Sequence, residues 1–504
     1  MITAIRNARP LGGHASIDVS IADGLITGIY PAGTIAPGEG VVEAAGRWIM
    51  PGLWDEHVHF TQWAQHRRRL DLEGAGSAAE AAAIVRDAAA HAAPGETIVG
   101  GGFRDALWPD APTTALLDAA APDQPVVLVA ADVHCAWLNT AALAHFGFAP
   151  AEADLVGADF GGARVAGVYD SELAHSGLLR EEAAFTITRQ LDAASDEVLD
   201  VWAAEAAREA AARGVVGIVD LEMRWNYADW VRRAASGFDA LRVEFGVYPQ
   251  HLDRALEAGL RSGIEVAPGV HVGPLKVIAD GSLNTRTAYC CDPYPGKSST
   301  PYGVLSVPPC DLHPLLARAS DAGFSLAVHA IGDVANHVVL DVFARIGRGG
   351  RIEHAQLLRP CDIPRFAALG VVASVQPEHA VDDRDVAEKF WPGRTQHAFA
   401  LRSLLDAGAR IVLGSDAPVA PLDPWVAIAA ATSRTRHGRE PFHAEQIITP
   451  QEALAASSRS MVAVGEPADL LLVDADPLTT SGDALRVLPV ALTLLGGRAT
   501  HSAL

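Results

Sequence analysis

Pro51-Gly52-Leu53-Trp54-Asp55-Glu56-His57-Val58-His59-Phe60 is the stretch on which the reading of this chain turns. A Pro-Gly turn leads into a short strand. Successive side chains of a strand point to opposite faces, so His57 and His59 share one face, and Asp55 shares it with them. Two imidazoles two residues apart on a rigid strand make a ready pair of ligands for Zn, Fe, Ni or Cu. A His-Xaa-His also arises by chance among 19 histidines, so the question is whether the chain supplies further ligands.

Working outward, short apolar runs alternate with Ala-rich helical segments. The runs are 215–220, 241–247, 274–279, 325–329, 351–354, 371–376 and 411–416. With the opening strand they make eight, and eight parallel strands with intervening helices predict an α/β fold, a (β/α)8 TIM barrel with its active site at the C-terminal ends of the strands. Helix starts are legible as capping boxes at Ser77 to Glu80 and at Thr449-Pro450-Gln451-Glu452. A helix over about 196–213 ends at Gly214. Residues 61–214 are too long for one crossover and are read largely as an insertion after strand 1, beside the barrel mouth, with extra strands at 98–100 and 126–130. The two ends, 1–50 and 462–504, carry hairpin signals such as Asp23-Gly24 and Gly496-Gly497. Neither end has enough strands to bury a sheet face alone, so together they predict one small composite β-sandwich domain around a 51–461 barrel.

The polar residues at strand ends decide the chemistry. His329 closes the run 325–329, His354 closes 351–354, Asp416 closes 411–416, and Lys276 sits inside Leu275-Lys276-Val277-Ile278-Ala279-Asp280. Singly, each has an ordinary explanation in a hydrogen bond or a loop cap. Jointly, four histidines, one lysine and one aspartate project from one rim of one barrel. A charged lysine in an apolar strand is costly unless partnered, and two cations beside it would repel it.

At this point the chain resembles the amidohydrolase superfamily of metal-dependent hydrolases, and within it the amidohydrolase-3 (YtcJ-like) group that includes N-substituted formamide deformylases. The motifs are Pro-Gly-Leu-Trp-Asp-Glu-His-Val-His at 51–59, Asp-Val-His-Cys-Ala-Trp-Leu-Asn at 132–139 and Lys-Val-Ile-Ala-Asp-Gly-Ser-Leu-Asn-Thr-Arg-Thr-Ala at 276–288. They continue with His-Ala-Ile-Gly-Asp at 329–333, Ile-Glu-His-Ala-Gln at 352–356, Ser-Val-Gln-Pro at 374–377 and Gly-Ser-Asp-Ala-Pro-Val at 414–419. The resemblance implies that His57, His59 and Asp416 ligate one metal and that His329 and His354 ligate a second. It implies that Lys276, carboxylated by CO2, bridges the two. Zn2+ is the expected ion; ligand spacing leaves one or two per chain open. A homo-oligomer is implied by the resemblance alone. Two departures stand out: Leu283-Asn284-Thr285 replaces the Leu-Gly-Ser of relatives, and the link at 457–465 is short.

The chemistry expected of such a site is hydrolysis of a C–N bond, amide or N-formyl, in a small molecule. Metal-ion catalysis lowers the pKa of a water towards about 7 and polarises a carbonyl, and Asp416 carries the proton to the departing nitrogen. Catalytic roles are expected for Asp416, Lys276 and Arg286. His134, Ser282, Arg286 and Gln376 are candidate substrate contacts. Arg286 suits a carboxylate, with a loop salt bridge as its alternative, and loop-structuring hydrogen bonds are the alternative for His134 and Gln376. A mononuclear deaminase and a lactonase remain alternatives, as does a catalytically silent scaffold. No GxSxG, HExxH or P-loop occurs. Glu56 is left without an account.

Composition narrows the classes. At 504 residues, 49% hydrophobic and 20% charged, this is an ordinary globular chain. A net charge of −22 gives no field to attract phosphate, so neither nucleic acid nor an anionic membrane is expected as a partner. One basic stretch, 433–439, reads as a solvated loop or helix end. Five cysteines without a CxxC pair are no disulfide framework. With no apolar run of membrane-spanning length and no leader pattern at Met1–Arg6, the expected location is cytoplasmic.

Overall fold

Each of the eight apolar runs forms a strand: β1 Leu53–Val58, β2 Val215–Asp220, β3 Arg242–Val247, β4 Val270–Ile278, β5 Leu326–Ala330, β6 Arg351–His354, β7 Val372–Val375 and β8 Ile411–Leu413. They are seen in a computed structural model that describes residues 1–93, 95–148, 175–191, 194–296 and 299–504. Residues 94, 149–174 and 192–193 of the expected insertion lie outside the described residues. Each barrel strand pairs in parallel with the next in sequence. An isolated parallel bridge between Val58 and Ala417 sets the last strand against the first. The result is the expected TIM barrel, nearly closed. Every residue of β2, β5 and β8 is buried, as strands covered on both faces require.

The seam between β8 and β1 positions the site. A Cβ at residue 414 would stand 2.7 Å from the backbone nitrogen of His57, so only glycine fits. Beyond it the Ser415 N–H donates to Asp55 Oδ1 at 2.9 Å, and the Asp416 N–H donates to the His57 carbonyl at 2.7 Å. The regular strand therefore stops at Leu413, earlier than the sequence suggests, because the chain turns to follow β1. Asp55 also accepts the His57 N–H at 3.1 Å. Its carboxyl ties the seam together, and burial pushes its pKa up to about 7.

Local signals mostly hold. The Thr449–Glu452 box is complete, with both reciprocal hydrogen bonds present. At Ser77 only half forms: its hydroxyl accepts from the Glu80 N–H, but the Glu80 carboxylate takes the Gly76 N–H instead. Helix Asp196–Ala212 stops two residues before Gly214, whose φ is 86°.

Strands from both chain ends share one sheet, in the order Arg498–Ser502, Val490–Leu495, Leu470–Val473, Trp48–Pro51, Ala4–Pro10, Ile17–Ala22, Leu25–Pro31, with Val41–Glu43 beside Ala4–Pro10. Ile5, Val19, Ile49, Leu470, Leu472 and Leu494 are in its core. These strands and the barrel belong to one compact unit; a second comprises residues 65–195 and 281–287. The second unit has its own five-stranded sheet, including Ile98–Phe103 and Val126–Ala130, over a core containing Phe103, Leu128 and Trp137.

The basic stretch 433–439 is engaged in ion pairs: Arg436 with Glu378 and Asp382, Arg439 with Asp385. All five cysteines are free. No helix among the described residues is long and apolar enough to cross a membrane.

Candidate metal centre

At the C-terminal end of β1 the His57 ring is fully buried, and its Nδ1 lies 2.7 Å from Glu353 Oε2. A carboxylate accepts, so Nδ1 carries the proton and Nε2 keeps its lone pair. Burial, reinforced by the Lys276 charge, brings the His57 pKa down to about 4, so the ring is neutral, as a ligand must be. His57 Nε2 stands 3.2 Å from Asp416 Oδ1, and His59 Nε2 stands 3.4 Å from the same oxygen. His59 lies one residue beyond the regular strand.

These distances fit a cation. Donor atoms about 2.1 Å from one ion at tetrahedral angles are about 3.4 Å apart. One ligand atom from each of His57, His59 and Asp416 lies within 4.8 Å of the other two. Burial alone would raise the Asp416 pKa, but the hydrogen bond from His59 holds it well below the usual range, so the group is ionised. His59 Nδ1 is buried without a protein partner. The residues present fit a divalent ion.

Lys276, on β4, is buried with Nζ 3.3 Å from His57 Nε2. Burial brings its pKa down to about 8 against the pull of Glu353 and Asp416. His354, ending β6, packs its ring 5.2 Å from that of His57 and 4.4 Å from that of His329, the last but one residue of β5. Burial and the neighbouring His329 push the His354 pKa well down. His329 Nε2 stands 3.6 Å from Asp280 Oδ1. All six expected ligands thus gather in the barrel unit. His354, Ala355 and Asp416 have φ of 73°, 43° and 59°, a left-handed backbone that non-glycine residues adopt rarely and mostly at functional sites.

Three residues beyond the expected six matter. Glu353 orients His57 and is itself held by Arg351, whose Nε donates to Glu353 Oε1 at 2.6 Å. Glu56 is explained by the same network: it pairs with Arg459 at 2.6 Å and with Arg351 at 3.2 Å, and Arg459 continues to Glu244 at 2.7 Å. The third is His379, on helix Pro377–Asp382, stacked on His354 at 6.0 Å. His354, His379 and Asp416 form a second group whose ligand atoms lie within 4.8 Å of one another. His329 is in neither group. Gln-Pro closing β7, with Pro as the first helical residue, was the available signal, since it places residue 379 in the first turn.

The candidate substrate contacts divide. Gln376 is in the barrel unit, its Nε2 3.3 Å from His57 Nδ1. His134, Ser282 and Arg286 belong to the second unit. There His134 Nδ1 donates to Glu181 Oε2 at 2.8 Å, and Ser282 Oγ donates to Asp132 Oδ2 at 2.8 Å. Glu181 also accepts from Thr285 at 3.0 Å and from Thr287, and is held down to about 2: burial opposes this, while His134 and these hydroxyls outweigh it. His134 and Ser282 therefore brace the 281–287 segment. Arg286 has φ of 60°, and its N–H donates to the Leu283 carbonyl at 3.0 Å.

The sequence pattern described as "Amidohydrolase family" matches residues 40–501. Protein LONG AFTER FAR-RED 3 of Arabidopsis thaliana is 30% identical over 86% of this chain and 74% of its own length. The N-substituted formamide deformylase of Arthrobacter pascens is 25% identical over 92% of this chain and 90% of its own. In fold, the chain is similar to an uncharacterized metal-dependent hydrolase from Pyrococcus horikoshii, with a TM-score of 0.76, 24% identity, and coverage of 95% of this chain and 98% of that one.

Proposed function

This chain belongs to the amidohydrolase family, and from that premise we propose that it hydrolyses a C–N bond of amide or N-formyl type in a small molecule, using one or two divalent ions, with Zn2+ the expected metal. The observation that carries this reading is the convergence of His57 Nε2 and His59 Nε2 on Asp416 Oδ1 at 3.2 and 3.4 Å. His57, His59 and Asp416 would hold one ion; His354 and His329, with Lys276 between, are proposed to hold a second. An ion held there supplies Lewis acidity, which lowers the pKa of a water towards about 7 and polarises a carbonyl oxygen.

The residues supply the rest. Asp416, kept ionised, accepts a proton from the attacking water and delivers it to the departing nitrogen as the C–N bond breaks. Glu353 fixes the His57 tautomer. Lys276, with a pKa near 8, is neutral in appreciable part at neutral to mildly alkaline pH. Its amine can add CO2, forming an N–C bond and releasing a proton, which replaces a buried cation with an anionic ligand. Gln376, 3.3 Å from His57, is proposed to contact the substrate. The N-formyl preference rests on the name of the Arthrobacter relative.

The test is a panel of N-formyl amines, simple amides, lactones and amino-substituted heterocycles incubated with Zn2+-loaded protein. Amine and acid should be released from the first two classes at rates at least tenfold above the others. Turnover confined to lactones, or to ring deamination with release of ammonia, would overturn the assignment.

A further inference from the structure

The cavity beside the site is lined by His354, Gln356, Gln376, His379 and Phe399. Four buried polar atoms of these residues have no protein partner: His354 Nδ1, His379 Nε2, Gln356 Nε2 and Gln376 Oε1. An unpartnered buried polar atom is destabilising, and several around one space point to something polar that belongs there. His379 is 6% exposed, and a ligand atom of its ring lies within 4.8 Å of those of His354 and Asp416. Asp416 meets His57 and His59 through Oδ1. A carboxylate has two oxygens and can serve a second ion as well.

We infer that His379 is a further ligand of the second ion proposed above, meeting it together with His354 and with Asp416, which the His57–His59 site shares. Two imidazoles and a carboxylate are a set that suits Zn2+ or a similar ion. His379 is well held for this role, on a helix whose Pro377 directly follows Gln376. Its N–H donates to the Gln376 carbonyl at 3.1 Å, and its own carbonyl accepts from the Asp383 N–H at 2.9 Å. A ligand at this position would also draw the helix after β7 towards the centre. The inference rests on the metal-dependent reading above.

The experiment is metal titration of chelator-stripped protein with Zn2+ by calorimetry and with Co2+ by visible absorption, in wild type, His379→Ala, His379→Gln and His59→Ala. The inference predicts two ions in the wild type. In both His379 variants the dissociation constant of one ion should rise at least tenfold and the Co2+ spectrum should change, while the other ion is held within threefold of wild type. His59→Ala should weaken the other ion instead. Imidazole added to His379→Ala should restore binding. If that variant is insoluble, His379→Gln carries the test, because it keeps the volume of the side chain.

Two ions bound as in wild type by a folded His379 variant would overturn the inference and leave the hydrolase reading standing. A single ion in the wild type would overturn it too, since the two triads would then not fill together. A wild type that takes up no ion at all would remove the metal reading and this inference with it.

Discussion

Asp416→Asn is expected to lower kcat about 10³-fold or more while the protein still binds metal when Zn2+ is saturating. Asn keeps the shape and one oxygen donor but cannot accept a proton, and general acid–base catalysis contributes about 10²–10⁴-fold. The position is demanding in three ways: Asp416 is buried, its backbone has φ of 59°, and its Oδ1 faces both His57 and His59. Because the hydrogen bond from His59 holds its pKa well down, it is ionised as a base at neutral pH and becomes a strong acid once protonated. Steady-state kinetics with metal analysis on the same sample decides the matter. A variant with full turnover would remove Asp416 as the proton carrier; one that loses metal and activity together at saturating Zn2+ would reduce it to a ligand.

Glu353→Gln is the second large effect. Glu353 is fully buried and bonds His57 Nδ1 at 2.7 Å and Arg351 Nε at 2.6 Å. Gln removes the charge opposite Arg351 and, being able to donate, no longer fixes the His57 tautomer. Loss of an outer carboxylate typically weakens metal binding about 10–100-fold, and breaking a buried ion pair costs roughly 3–5 kcal/mol. The pH dependence has a definite sign. Burial alone would raise the Glu353 pKa, but Arg351 and His57 hold it well below the ordinary glutamate range. A depressed carboxyl contributes stability that is fully present above the unfolded value and lost as pH falls through the folded one. The stability gap between wild type and variant, in chelator-stripped protein, should therefore be widest above about pH 5 and shrink below it. Urea midpoints at pH 6 and pH 3.5 measure this. An equal gap at both, with unchanged metal affinity, would contradict the role.

Much of this architecture is legible in the chain because several barrel strands are short apolar runs closed by a polar residue. The run 325–329 ending at His329 and the run 351–354 ending at His354 announce both the strand and the ligand. What escapes depends on distant partners. Glu56 looks unexplained until Arg459, 403 residues away, is seen beside it. The turn at Gly414 is a close approach of two backbones, which no local pattern reports. Glu353 reads as part of a motif, but its use depends on Arg351 next to it and on His57 across the barrel. His379 escapes because it follows the strand end on a helix, where spacing from the apolar run no longer marks it. His134 and Ser282 attract attention as polar residues within motifs, yet their partners Glu181 and Asp132 give them a bracing role.

The central claim is a divalent-metal centre built on His57, His59 and Asp416 with Lys276 beside it. Its most direct test is elemental analysis of metal per chain in wild type and Lys276→Ala, both purified without chelator. Two ions per chain in the wild type, falling in the variant, is the predicted result. A wild type with no metal, and none taken up on reconstitution with Zn2+, would contradict it.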